Sequence, residues 1–376
     1  MNKYEFENLI INSLIRYGNR NKAYQIMKNI EESDNQEYAI FYKKFELNYL
    51  LSTYNLSEAC EFRNKLKNQK LNIANNFLLK VDIFCLFLQE KLDEANLLYS
   101  LLEESEIIND EYFKYIFKFL KNTDNLTYET SINNNLIINE NLIYLYSAMH
   151  RVGNIPLNEK FLKIDPINLS MPIILSKSTN ISLRLQAAHA AYNNELLGID
   201  SLAALYQTVD FSFDELNDSS ILASELEKKV ELGMAYYYQL ANIQILPITR
   251  LEALINFWKF AEKHNLKKIA YNLSNKILDS IEPSNELAEF GATIAKTYIY
   301  NRNFEKAEKW LLFSESFFNN GNNDIKLVSS KLLYNLFYVN KSEEFIEALM
   351  SGLQNFNNQN DDNNFVDNEI LFTIFS

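Results

Sequence analysis

The sequence predicts an all-α protein, a right-handed solenoid of paired helices, and three observations carry that prediction. Across 376 residues there are only 7 glycines and 5 prolines. Sandwiches, barrels and nucleotide-binding loops consume turn residues, so this scarcity favours helices joined by short polar turns. Alanines recur at a near-constant interval: Ala23, Ala59 and Ala95 are spaced by 36 and 36, and Ala270, Ala307 and the equivalent Phe345 by 37 and 38. A period of roughly 34–40 residues belongs to helical hairpins that must stack on neighbours to bury their apolar faces. Apolar residues make up 47% of the chain, a globular share.

Each recurrent position follows a polar turn (GNRNK, YNLSE, EKLDE, YNRNFEK, VNKSEE) and precedes an apolar helical stretch. Ser57 and Asp93, two residues before their alanines, are the expected helix N-caps. The alanine is small because the two helices of a hairpin approach closely there. Nine residues earlier stand Leu14, Leu50, Leu86 and Tyr298, expected in the core of the first helix. Asparagine takes over much of the turn work, since it tolerates the left-handed region and bonds locally.

Taken in order, residues 1–150 read as N-terminal helical repeats: to about residue 122, three regular pairs plus a following helix, DEYFKYIFKFLKN (110–122), and later the helix LIYLYSAMHRV (142–152). Residues 151–182 form an irregular joint, because Pro156, Pro166 and Pro172 each disfavour helical geometry in the residue before them. Helical text resumes at 183–354 as C-terminal repeats, with Gly198 at a hairpin turn and Trp258 and Trp310 on apolar stripes as core anchors. Residues 355–376 are an Asn/Asp-rich loop followed by NEILFTIFS, which reads as a helix cut mid-course.

Two resemblances attach to these residues. The stretch TYIYNRNFEKAEKWLLF (297–313), with Ala295 and Ala307 twelve apart, resembles a degenerate tetratricopeptide repeat, whose small–small pair packs its two helices. Ile11, Leu47 and Ile83 depart from the small residue of that motif's first helix, and the unit-ending proline is missing, which implies wider, irregular pairs. The segments 165–216, 248–270 and 282–311 are similar to a family of uncharacterised alphaproteobacterial helical-repeat proteins, often labelled antifreeze-glycopeptide polyproteins, a label without functional weight. The likeness covers about the last two thirds of the chain and supplies no catalytic residues.

Composition narrows the function classes. A net charge of −13 and a pI near 4.9 disfavour nucleic acid and anionic membranes, which need clustered Lys and Arg. No stretch reaches the ~18 apolar residues of a membrane span, because Lys80 and Asp82 interrupt FLLKVDIFCLFL. Cys60 and Cys85 lie in apolar helical text and read as buried thiols, a disulfide being open but not implied. The three histidines, His150, His189 and His264, lack partners at metal-ligand spacing, and no phosphate loop, serine elbow or zincin motif occurs. The carboxylate pairs Glu103–Glu104, Asp110–Glu111 and Asp361–Asp362 read as solvated charge.

Catalytic, cofactor-binding and metal-ligating residues are therefore expected to be none. Adjacent helical residues point ~100° apart, so Tyr236, Tyr237 and Tyr238 cannot all face the core, and they are the candidates for partner binding. The expected function is a non-catalytic protein–protein interaction scaffold, with a protein or peptide partner favouring basic or polar segments. A peptide-binding regulatory receptor and the helical domain of a peptidoglycan-related envelope system are the alternatives. The compartment reads as cytoplasmic from this sequence, and as periplasmic if a signal segment precedes it, as the resembling proteins imply.

Overall fold

A computed structural model describes residues 3–30, 36–67, 75–104, 110–121, 136–217 and 222–318, with isolated positions between 327 and 335. Phe345, Asp361–Asp362, the 355–364 stretch and NEILFTIFS lie outside the described residues. The described elements are helical, with no strand among them.

The periodic alanine has a local cause. At five helix–helix turns a residue just past the helix end holds a positive φ: Gly18 (78°), Tyr54 (65°), Glu90 (61°), Asn265 (58°) and Arg302 (56°). The amide of the next residue reaches back five positions, Asn19 to Leu14, Asn55 to Leu50, Lys91 to Leu86, Leu266 to Ala261 and Asn303 to Tyr298. Those carbonyls are helix-end orphans, and this left-handed turn satisfies them. The carbonyl of that same residue then accepts from the amide four places on, which is Ala23, Ala59, Ala95, Ala270 or Ala307. Nine residues from core position to alanine are thus five across the turn plus four into the next helix. All five alanines are fully buried.

This geometry corrects one detail. Because the new helices begin at Leu56 and Leu92, the residues that cap them are Asn55 and Lys91, and Ser57 and Asp93 stand inside the first turn. Asparagine serves the turns in both expected ways: Asn154 and Asn265 hold positive φ, and Asn139, Asn158 and Asn180 each accept an amide two residues on.

The chain divides into two compact units, Met1–Gly198 and Ile199–Ser376. In the first, α1 (Lys3–Arg16) packs on α2 (Arg20–Lys28), α3 (Gln36–Ser52) on α4 (Leu56–Lys67), and α5 (Asn75–Leu88) on α4 and α6 (Leu92–Glu104). After α7 (Glu111–Lys121), helix α8 (Ile143–Val152) returns to pack against both α3 and α7, the first helices of earlier and later pairs. The proline-bearing 151–182 segment carries two short helices, α9 (Glu159–Ile164) and α10 (Ser170–Leu175), and α10 packs on α11 (Ile181–Asn193) within the same unit.

Cys60 of α4 and Cys85 of α5 are joined in a disulfide, their Cα atoms 5.5 Å apart. The reading of two separate buried thiols is thereby corrected. The second helix of one pair runs antiparallel to the first helix of the next, which sets residue 60 level with residue 85. Both sulfurs are buried, as expected.

In the second unit, α12 (Ile199–Gln207), α13 (Phe213–Asn217) and α14 (Ala223–Lys228) precede α15 (Val230–Ile243) and α16 (Pro247–Lys263), which pack together. Then α17 (Lys267–Leu278), α18 (Gly291–Tyr300) and α19 (Phe304–Phe318) each pack on the helix before. Trp258 and Trp310 are buried, and Trp258 donates its indole N–H to Ser274 at 2.8 Å, whose hydroxyl donates to the Ala270 carbonyl. A polar tip with a partner is what lets a tryptophan enter a core at little cost.

Candidate functional site

Among the described residues of the first unit, three clusters of polar side chains tie helices together. At the centre, Asp110 caps α7 by accepting the Phe113 amide at 3.1 Å on one carboxylate oxygen. Its other oxygen accepts from the Lys80 ammonium of α5 and the Tyr146 hydroxyl of α8. Asp110 and Lys80 are both buried, so the reading of Asp110 as solvated charge is corrected: a cap, a cation and a hydroxyl replace its water. Burial and the Asp110 charge push the Tyr146 hydroxyl up, so it stays a donor.

Beside it, Tyr112 lies 2.9 Å from His150 Nε2, and His150 Nδ1 lies 3.1 Å from the Pro156 carbonyl. A carbonyl only accepts, so Nδ1 carries the proton and Nε2 accepts from Tyr112. Complete burial lowers His150 to about 4, which leaves it neutral. Both ring nitrogens are used by the protein itself. The arrangement locks α5, α7 and α8 together, and no group in it faces solvent.

Between α4 and α5, Arg63 binds Asp82 at 2.6 Å and the Leu78 carbonyl at 3.3 Å, while Lys67 stands 3.2 Å from Asp82. One turn along lies the disulfide. In the third place, the Arg20 guanidinium lies 4.4 Å from the Tyr144 ring and 5.5 Å from the Phe45 ring, and donates to Ser52 at 3.1 Å. Tyr144 in turn donates to Asp165 at 2.5 Å. This stack joins α2, α3 and α8.

The remaining histidines separate. His189 is buried and lowered to about 4 by burial, while His264 lies 3.5 Å from Glu227. Among the described residues no three His, Cys, Asp or Glu side chains are grouped to hold a metal. No described helix is long and apolar enough to cross a membrane. Glu103 and Glu104 are exposed. Of the tyrosine triplet, Tyr236 is buried and donates to the Glu215 carbonyl at 2.8 Å, and Tyr238 is buried against Tyr206 and Phe257. Tyr237 is half-buried between Tyr236 and Phe260 and keeps part of its ring at the surface.

Among the described residues, α6 presents several large apolar side chains at the surface. It carries five leucines, yet its only fully buried residue is Ala95. Leu92, Leu97 and Leu101 are 47%, 63% and 48% exposed. The equivalent second helices α2 and α4 bury Met27 and Leu66. Periodicity alone places the leucines of α6 in a core, since it reports that a helix has an apolar face and not whether a neighbour covers it. For the buried network a signal did exist. Lys80 and Asp82 inside an apolar run, and Asp110 immediately before an aromatic helix, are positions where charge needs a partner or a cap.

Compared with known proteins, the chain matches no family model, no characterised protein and no solved structure.

Proposed function

We propose that the chain is a non-catalytic protein–protein interaction scaffold, built as a solenoid of tetratricopeptide-like helix pairs. The observation that carries this reading is α6, a helix three of whose five leucines are exposed although its hairpin is otherwise built like its neighbours. Fully burying a leucine contributes about 1.5–3 kcal/mol, so two on one face supply a useful share of a modest affinity. The repeated turn supports the reading further, since it builds each of these hairpins on the same internal geometry, as an array of stacked repeats requires. Because α8 already occupies the side of α3 and α7 that it packs on, the partner is assigned to a second helix instead.

The test is cross-linking mass spectrometry on the tagged, full-length native protein, with a photoreactive residue placed at Leu97. A reproducible protein partner whose cross-links fall on α6 and adjoining pairs is the expected result. A co-purifying peptide or glycan fragment in place of any protein partner overturns the scaffold reading.

A further inference from the structure

We infer that the exposed face of α6 is a docking strip for a basic amphipathic helix; the inference rests on the scaffold reading and names its partner. At about 100° per residue, Asp93, Leu97, Leu101 and Glu104 fall on one stripe, with Glu94 beside Leu97. All five are exposed. The strip is thus a leucine pair one turn apart, with carboxylates at both ends.

Those carboxylates are little neutralised. The cation near Glu94 is Lys91 at 4.0 Å, with both side chains more than half exposed, a contact of small worth. Among the described residues no Lys, Arg or His lies within 4 Å of Asp93 or Glu104. Lys114 engages Glu103 and Glu111, and Lys121 donates to Asn96 and covers the Tyr99 and Phe117 rings, so both are committed off the strip.

Charge and shape then select the occupant. An anionic lipid surface or a nucleic acid meets like charge here. A second copy docking by the same face sets acidic stripe against acidic stripe, which disfavours a two-fold contact. The complementary object is a helix with two or three apolar residues at i, i+3, i+4 spacing, flanked by Lys or Arg. From Asp93 to Glu104 the strip runs about 16 Å at 1.5 Å per residue, so roughly three turns of partner helix cover it.

The experiment uses the full chain and two fluorescein-labelled synthetic 14-residue peptides of identical Leu, Lys and Ala composition. One places its leucines on a single helical face, and the other scrambles them. Fluorescence anisotropy at about 0.15 M salt is expected to show the phased peptide binding at least 10-fold more tightly than the scrambled one. The double substitution Leu97→Ser, Leu101→Ser is expected to erase that difference at unchanged net charge, with circular dichroism reporting intact helix. The triple substitution Asp93→Asn, Glu94→Gln, Glu104→Gln is expected to weaken binding and flatten its salt dependence. Equal binding of the two peptides, or full affinity in the leucine variant, overturns the proposal. So does a dimer that the leucine variant dissolves, since the occupant is then a second copy. If the peptides fail while native cross-links fall on another face, the strip is overturned and the scaffold reading stands.

Discussion

Single residues here carry disproportionate conformational consequences at the hairpin turns. Glu90 holds φ at 61°, a region in which a side chain crowds its own backbone and glycine does not. Since Glu90 is exposed, Glu90→Gly is expected to raise stability by about 0.5–1 kcal/mol, read as a higher urea midpoint at unchanged slope. Tyr54 shares the conformation but stacks on Arg151 at 3.9 Å, so the same change there forfeits a ring contact and is expected to gain less. Arg20 is the opposite case, buried between two rings with a planar group that lysine cannot reproduce. Arg20→Lys is expected to destabilise by roughly 1–2 kcal/mol in the same measurement. The left-handed position is hard to read from identity when Gly, Tyr, Glu, Asn and Arg all occupy it; the alanine four residues after the turn is the better marker, because only its small size is demanded by packing.

At the scale of elements, stability in the first unit depends on how α5 is held. Lys80→Met leaves Asp110 buried without its cation, which is expected to cost about 3–5 kcal/mol. Adding Asp110→Asn to that variant is expected to restore part of the loss, because an uncharged group no longer needs the ammonium. The disulfide between α4 and α5 closes a loop with a sequence separation of 25 residues. On the chain-entropy account, Cys60→Ser with Cys85→Ser is expected to lower unfolding stability by ~3 kcal/mol, and maleimide labelling of the native wild type is expected to remain low until reductant is added. These cross-helix partners were illegible for a physical reason. A periodic pattern reports which face of a helix is apolar, whereas Lys80 with Asp110, 30 residues apart, depends on the register between helices.

Over the whole molecule, the buried histidines set an acid boundary. His150 and His189 both lie in the first unit and are lowered to about 4 by burial, against an ordinary value near 6.5. The unfolded chain therefore binds more protons than the folded one between those values. Stability is full above about 6.5 and falls as pH drops toward 4, by up to about 3 kcal/mol per histidine at roughly 1.4 kcal/mol per pH unit. Trp258 and Trp310 belong to the second unit, so far-ultraviolet circular dichroism is expected to lose signal on acidification before tryptophan fluorescence shifts. Coincident transitions in His150→Phe and in wild type would count against that assignment.

From the sequence alone came the helical class, the hairpin period and the buried alanines and tryptophans, because each follows from local geometry: nine residues span a left-handed turn and the first helical bond that follows it. Acidity, too, was plain from composition. Tertiary structure alone decided which partners the buried charges take, that the cysteines are joined, that α8 returns to α3 and α7, and that three leucines of α6 stay exposed. Each of these depends on what a neighbouring helix brings to a face, and sequence periodicity describes the face but not its neighbour.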